Sequence, residues 1–374
     1  MIVTIIIFLA ILTILVLVHE LGHFVTARKF GIAVEEFGIG LPPRAIGLKR
    51  GKTIFSLNWI PLGGFVKIKG EQGENMGDED SFASKPAWQR GIVLSSGVLM
   101  NFLLACVLLI AGFVIGAPYV LNGDELPLNG KLRNEQIIIA SVIPETPAET
   151  AELTPGDSIS EIDGKTFYSI ENIQKYIGEK TGREVTLTLL RNDETITKKI
   201  TPQTNKEAGD RAIIGVELMR TGIISYNFFE AVPLGIIKTF DLTKAIIFAF
   251  GSAIWDLLSG RSVSVDISGP IGIAFITNEV IKLGLIYIIQ FAALLTLNLA
   301  IINFLPIPAL DGGRFLFLMI EKIRGSAINK KVENVSHTIG FAILMLLIIF
   351  VMFRDIQRYQ HYFESAWNRF TNLL

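Results

Sequence analysis

The chain has 374 residues, half of them hydrophobic, and a mean hydropathy of +0.49, which is too apolar for an ordinary soluble two-domain enzyme and predicts a multi-span membrane protein. Its formal net charge is −1 and it has no block of Lys and Arg, so nothing electrostatic favours a nucleic-acid partner. The single cysteine, Cys106, excludes an intramolecular disulfide and a Cys-based zinc site, and leaves histidines and carboxylates for any metal.

Residues 2–18 are uncharged and nearly all apolar, which predicts a first transmembrane span over residues 1–24. Its end carries His19-Glu20-Leu21-Gly22-His23. On a helix that spacing puts His19 and His23 one turn apart on one face, able to share a Zn²⁺ ion, with Glu20 beside them to take a proton from water. Ionisable groups inside a span are costly, so their presence points to function. Two plainer readings compete: the polar trio is the wet end of the span, or the apolar run is a removed signal peptide. The second is disfavoured, because no Lys or Arg precedes the run and Arg28 and Lys29 follow it. The same charges predict a cytoplasmic loop after the span and an N-terminus outside.

Residues 25–90 are that basic cytoplasmic loop. Within it, residues 53–60 and 65–69 read as two strands of a hairpin turning at Pro61-Leu62-Gly63-Gly64, dipping against the membrane or lying on the surface. Residues 91–120 predict the second span, whose one strongly polar side chain, Asn101, meets either another helix or a polar site. Residues 121–220 change to a charged, alternating pattern and predict a soluble α+β domain on the outer face, with strands at 137–143, 158–162, 185–190 and 195–200 and a helix at 170–177. Residues 221–282 predict interfacial helices and a linker broken at Ser268-Gly269-Pro270.

Residues 283–310 predict the third span, which runs into Asn303-Phe304-Leu305-Pro306-Ile307-Pro308-Ala309-Leu310-Asp311-Gly312-Gly313. Pro306 and Pro308 break the helix and leave carbonyls unpaired, which is tolerated where the chain lines a cavity. Such a break turns Asp311 inward as a third ligand, whereas the plainer reading is an ordinary helix end leading into a loop. Asn298 and Asn303 are expected to point inward for the same reason of cost. Residues 311–336 form a second cytoplasmic loop, 337–353 a fourth span, and 354–374 an outer tail. His337 and His361 read as structural or solvated. In this topology the first and third spans both end on the cytoplasmic side, so His19, His23 and Asp311 reach the same depth.

With these motifs together, the chain resembles the site-2 protease family of intramembrane zinc metalloproteases, and within it the bacterial RseP/RasP group. The resemblance runs from the first-span His19-Glu20-Leu21-Gly22-His23 through Pro61-Leu62-Gly63-Gly64-Phe65 and Ser268-Gly269-Pro270-Ile271-Gly272 to the segment Asn303 to Gly313. Between them, Leu153-Thr154-Pro155-Gly156-Asp157-Ser158-Ile159 with Ile162-Asp163-Gly164 resembles a PDZ domain, a module that binds extended peptides at a sheet edge. The family implies zinc held by His19, His23 and Asp311, Glu20 as general base, and Asn303, with Asn298 as a weaker candidate, near the scissile peptide or its oxyanion. It implies that Gly63, Gly64 and Phe65 belong to an element along which substrate extends. Ser95-Ser96-Gly97 stands before Asn101 where members often have Gly-Pro, and this chain has room for one PDZ-like domain where some relatives have two.

The expected architecture is therefore a polytopic α-helical membrane protein of four spans, with a membrane-associated β-hairpin and an inserted extracytoplasmic PDZ-like domain, in a bacterial cytoplasmic membrane with both termini outside. The expected function is hydrolysis within or beside the transmembrane segment of single-span substrates, an anti-sigma factor and leftover signal peptides by resemblance, after a first cleavage has trimmed their ectodomains. The partners are those substrates, a peptide or ectodomain at the PDZ-like domain, and the lipid bilayer. A non-catalytic PDZ-containing membrane scaffold is the alternative, disfavoured by the intact Glu20. A soluble zincin is a third reading, disfavoured by three further spans.

Overall fold

The computed structural model describes residues 2–121, 130–191, 194–205, 211–261, 268–326 and 328–360. The chain divides into two compact units, one of residues 1–111 and 232–374 and the other of residues 112–231.

The first unit opens with helix α1 (Ile2–Lys29). Strands β1 (Val34–Arg50) and β2 (Thr53–Ile68) follow, then helix α2 (Ala87–Ile115). The expected hairpin of 53–60 with 65–69 is corrected here, because those two segments do not pair with each other. Residues 34–39 lie between them, with Phe37 opposite both Val66 and Phe55, while residues 44–50 pair with 53–58 on the far side. The result is a four-segment antiparallel layer in the order 44–50, 53–58, 34–39, 64–68. Segment 34–41 escapes a periodicity reading because Gly38, Gly40 and the Pro42-Pro43 pair interrupt its alternation. The end of α1, the strand ends, the start of α2 and a later helix share one apolar core of Ala27, Ile32, Val34, Ile68, Val93 and Leu318. Helix α2 stops five residues before the expected end of the second span. Gly116, at φ 141, turns the chain, and the next residues belong to a sheet.

The second unit is a six-stranded sheet. Its strands are β3 (Ala117–Leu121), β4 (Lys131–Val142), β5 (Ser158–Ile162), β6 (Val185–Arg191), β7 (Glu194–Ile200) and, after the small pair β8 (Gln203–Asn205) and β9 (Arg211–Ile213), β10 (Val216–Ser225). The order is β3-β10-β4-β5-β6-β7. A one-turn helix α3 (Pro147–Thr150) and helix α4 (Ile170–Gly178) cover it. Alternation along β6 buries Val185, Leu187 and Leu189, which pack with Ile162, Ile173 and Ile177 in the core. The strands expected at 137–143, 158–162, 185–190 and 195–200 and the helix at 170–177 fall on β4 to β7 and α4. Strands β3 and β10 lie outside the expected set: β3 falls largely within the span expected at 91–120, and β10 at the expected border with the interfacial helices.

The first unit resumes with α5 (Phe228–Leu258), α6 (Pro270–Leu283), α7 (Leu285–Phe304), α8 (Asp311–Arg324) and α9 (Lys330–Arg358). Where several interfacial helices were expected, α5 is one continuous helix of 31 residues. Gly284, at φ 104, separates α6 from α7. Helix α9 is longer than the fourth span expected at 337–353. Helices α1, α2, α7 and α9 are long and apolar enough to cross a membrane. Near the end of α9, Asp355 is buried and accepts hydrogen bonds from the backbone N–H of Gly269 (3.2 Å) and Gly272 (2.7 Å). Those are two of the N–H groups that the first turn of a helix leaves unpaired, so Asp355 caps α6 from across the unit. Of the tail expected at 354–374, residues 354–358 belong to α9, while His361 and the residues after it lie outside the described residues.

Candidate active site

His19 and His23 lie one turn apart on α1, 4% and 6% exposed. Their Nε2 atoms are 3.2 Å apart, and Asp311 Oδ2 stands 2.9 Å from the first and 3.2 Å from the second. Tetrahedral zinc with ligands at about 2.0–2.1 Å needs donor atoms roughly 3.3 Å apart, so the two imidazoles and the carboxylate fit that ion closely. All three donor atoms lie within 4.8 Å of one another.

Asp311 reaches this place because α7 stops short. Leu305 is extended, Pro306 and Pro308 prevent the helix from continuing, and α8 restarts at Asp311. The turn is tight. A Cβ on Gly312 would stand 2.3 Å from the carbonyl oxygens of Phe304 and Leu305, and one on Gly313 2.3 Å from that of Ile307. The double glycine is thus what lets α8 fold back against the break. Arg314, one turn along α8, is ion-paired with Glu71, just beyond the end of β2, whose carboxyl is raised above the usual range by burial despite that partner.

The rings are oriented by their other nitrogens. His23 Nδ1 lies 2.8 Å from the carbonyl oxygen of Val93, which can only accept, so Nδ1 carries the proton and Nε2 keeps its lone pair for a metal. His19 Nδ1 lies 3.4 Å from Nδ2 of Asn101, a fully buried residue whose Oδ1 has no hydrogen-bond partner among the described residues. Exchanging the two ends of that carboxamide would give Oδ1 a partner, letting Nδ1–H of His19 donate to it and leaving Nε2 of His19 free in the same way. Helix α2 comes this near because the crossing residues are small. A Cβ on Gly22 would stand 2.4 Å from the Ser96 carbonyl oxygen, and one on Gly97 2.4 Å from His23 Nε2.

A cleft of about 180 Å³ opens beside His19 and Asp311, lined also by Val16, Glu20, Leu299, Asn303 and Leu310. Asn303 Nδ2 is 3.4 Å from His19 Nε2, so the structure brings Glu20 and Asn303 to the cluster. It does not bring Asn298, whose amide donates to the Leu294 carbonyl of its own helix at 2.9 Å. Gly63 and Gly64 pack on the same turn of α1. A Cβ on Gly63 would lie 3.3 Å from Val16, and one on Gly64 2.8 Å from Leu17 and 2.8 Å from the Gly38 carbonyl oxygen. The segment from Gly64 to Ile68 is an edge, paired on one side only, and Phe65 packs over Gly38 within it.

The sequence reading missed Gly97 and the Val93 carbonyl and left Asn101 open. The signal was present: Gly97 and Asn101 are four residues apart in an otherwise apolar span, one turn on one face. His337, read as structural or solvated, lies on α9 and accepts from the backbone N–H of Ala309 at 2.8 Å, two residues before Asp311.

In the second unit, a separate groove of about 800 Å³ runs between α4 and residues 212–218, with Ile173, Ile177, Ile214 and Val216 in its lining.

The sequence profile of peptidase family M50 matches residues 7–347. The regulator of sigma-W protease RasP of Bacillus subtilis is 31% identical over 439 residues, covering 95% of this chain and 98% of its own length. The zinc metalloprotease RasP of Bacillus licheniformis is likewise 31% identical, over 95% of this chain and 99% of its own. Among solved structures, the PDZ domain of an SdrC-like protein from Listeria monocytogenes is 29% identical over 24% of this chain and 92% of its own length, with a TM-score of 0.21. With the family profile spanning nearly all of the sequence, the chain belongs to peptidase family M50, the site-2 proteases, and is a metalloprotease.

Proposed function

We propose that this protein hydrolyses a peptide bond in or beside the transmembrane segment of a single-span membrane protein, with zinc held by His19, His23 and Asp311 and with Glu20 as the general base. The observation that carries the reading is the convergence of two imidazole Nε2 atoms and one carboxylate oxygen, from residues 292 apart in sequence, at the mouth of a cleft that holds Glu20. Zinc bound there supplies Lewis acidity, polarising a carbonyl and acidifying water. Glu20 takes a proton from the attacking water and delivers it to the leaving amide nitrogen, so that the C–O bond forms as the C–N bond breaks and a carboxylate and an amine leave. Asn303 offers its amide N–H groups to the scissile carbonyl, whose oxygen gains charge as water adds.

A transmembrane helix shields its own peptide bonds, so the substrate must unwind locally. The half-paired edge Gly64 to Ile68, seated on α1 one turn before His19, supplies backbone partners for an unwound strand. The second unit is a PDZ-like screen whose groove at α4 takes an extended peptide, on the outer side of a bacterial cytoplasmic membrane with both chain termini also outside. Substrates reach the cleft after a first cleavage has trimmed their ectodomains. The Bacillus subtilis relative is named a regulator of sigma-W protease, which fits a substrate in sigma-factor control; an anti-sigma factor is one substrate class and leftover signal peptides are a second.

The test is cleavage of a truncated single-span reporter by purified wild type and Glu20→Gln, with zinc measured on both. Cleavage by wild type alone, with zinc in both, is expected. Absence of cleavage and of zinc in both would leave the scaffold alternative.

A further inference from the structure

Asp311 is the first residue of α8, so the turn that leads into the helix helps to aim it, beside the close packing of Gly312 and Gly313. That turn is held by α9. Gly340 is buried against it, and a Cβ there would stand 2.2 Å from the Pro308 carbonyl oxygen. One helical turn earlier on α9, His337 Nδ1 accepts the Ala309 N–H at 2.8 Å, and its ring lies 5.5 Å from that of Phe317 on α8. The two residues are three apart, so a single face of α9 meets the turn at Pro308 and Ala309.

Ala309 has φ 86, a conformation that costs any residue with a Cβ and persists only where its surroundings impose it. The hydrogen bond from its N–H to His337 is the polar contact that α9 makes with this residue. An acceptor placed there fixes the peptide plane two residues ahead of the carboxylate.

We infer that His337 is a positioning residue: through the Ala309 N–H it holds the strained turn that presents the Asp311 carboxylate to His19 and His23. This rests on the metal-site reading above. A partner one shell outside a metal ligand characteristically changes metal affinity when removed, without touching the substrate.

The test is zinc affinity by competition with a chelator, run on purified full-length protein beside the thermal midpoint of the zinc-free form. His337→Leu removes the acceptor while filling the space, and about a tenfold to hundredfold weaker zinc binding is expected with the zinc-free midpoint unchanged. His337→Asn keeps an acceptor oxygen at the Nδ1 position and is expected within about threefold of wild type, whereas His337→Gln, whose oxygen falls at the Nε2 position, behaves as the Leu variant does. Should His337→Leu fail to fold, the contrast between Asn and Gln decides alone. Unchanged affinity in the Leu and Gln variants, equal losses in Asn and Gln, or a loss matched by the zinc-free midpoint would each overturn the inference. Wild type that binds no zinc fails the metal reading instead, which separates the two.

Discussion

A Cβ on Gly97 would stand 2.4 Å from Nε2 of His23 and 2.7 Å from Nε2 of His19, so helix α2 passes directly behind the two donor atoms and leaves no room for a side chain. Replacing Gly97 by Ala therefore pushes either the rings or the helix out of place. The substitution favours helix formation locally, by about 1 kcal/mol on propensity, so loss of fold is not the expected result. Zinc content after dialysis against a weak chelator should fall at least about tenfold. Full zinc occupancy in Gly97→Ala would mean that the rings have a second arrangement available, and that the crossing of α1 and α2 does not set the site.

Gly64 stands in a different relation to α1. Its missing Cβ makes space for Leu17 on one side and for the Gly38 carbonyl oxygen on the other, and the backbone atom cannot yield. Gly64→Ala should lift the edge segment from α1 while leaving His19, His23 and Asp311 untouched. Reporter cleavage is expected to fall between about tenfold and a hundredfold with zinc content unchanged, since a shift of the order of 1 Å in a positioning element costs that much. A parallel loss of zinc would show that the layer supports the metal site itself.

These two glycines show where the sequence was readable. His19, Glu20, His23 and Asp311 could be named because ionisable groups inside apolar runs are costly and stand out, and because two prolines break a span where a cavity is needed. Gly97 could not be weighed, since a missing Cβ has meaning only once the opposite helix is in place. The same holds for His337, whose partner is a backbone N–H 28 residues away. The four-segment layer was half legible. Residues 53–60 alternate cleanly, but pairing order depends on which segment lies in the middle, and residues 34–39 hide that role behind Glu35, Glu36 and Gly38. Strand β3 was absorbed into the second span because Ala117 to Leu121 is as apolar as the helix before it, and only Gly116 marks the change.

Acid should loosen the loop below the layer before it affects the rest of the first unit. Lys52 at 2.7 Å and Lys69 at 2.6 Å hold the Asp80 carboxyl down to about 2, well below its ordinary 3.8, and the same contacts with Asp78 and Asp80 raise Lys69 to about 12. A depressed carboxyl contributes stability that is complete above its unfolded value and is lost as pH falls through the folded one. The difference in local amide exchange between wild type and Asp80→Asn, measured at Ala33 and Phe82, should be constant above about pH 5 and should shrink between about pH 4 and pH 2. A difference that does not change over that window would show that Asp80 acts through shape, not charge.

In the second unit the buried acid is Asp157, 1% exposed, in the Pro-Gly-Asp turn before β5. Burial opposes its ionisation, and Arg191 at 2.6 Å and 2.7 Å together with the Thr154 N–H and hydroxyl outweigh that, so the carboxyl lies below its usual range. The pair ties β6 to the turn, which also returns the Gly156 N–H to the Ile139 carbonyl of β4 at 2.8 Å. Losing the carboxylate leaves Arg191 and two donors at Thr154 to find other partners. Asp157→Ala should destabilise the sheet by about 2–3 kcal/mol, the worth of hydrogen bonds to a charged group, read as a lower urea midpoint for the second unit. Wild type should lose stability in acid as well, as pH falls below the ordinary carboxylate value and through the depressed folded one, while Asp157→Ala lacks that part of the dependence. Zinc content and the first unit's Asp80-dependent exchange should be unaffected in this variant, since neither shares a residue with the Asp157 turn. An equal acid response in wild type and Asp157→Ala would assign the effect to some other carboxylate of the sheet.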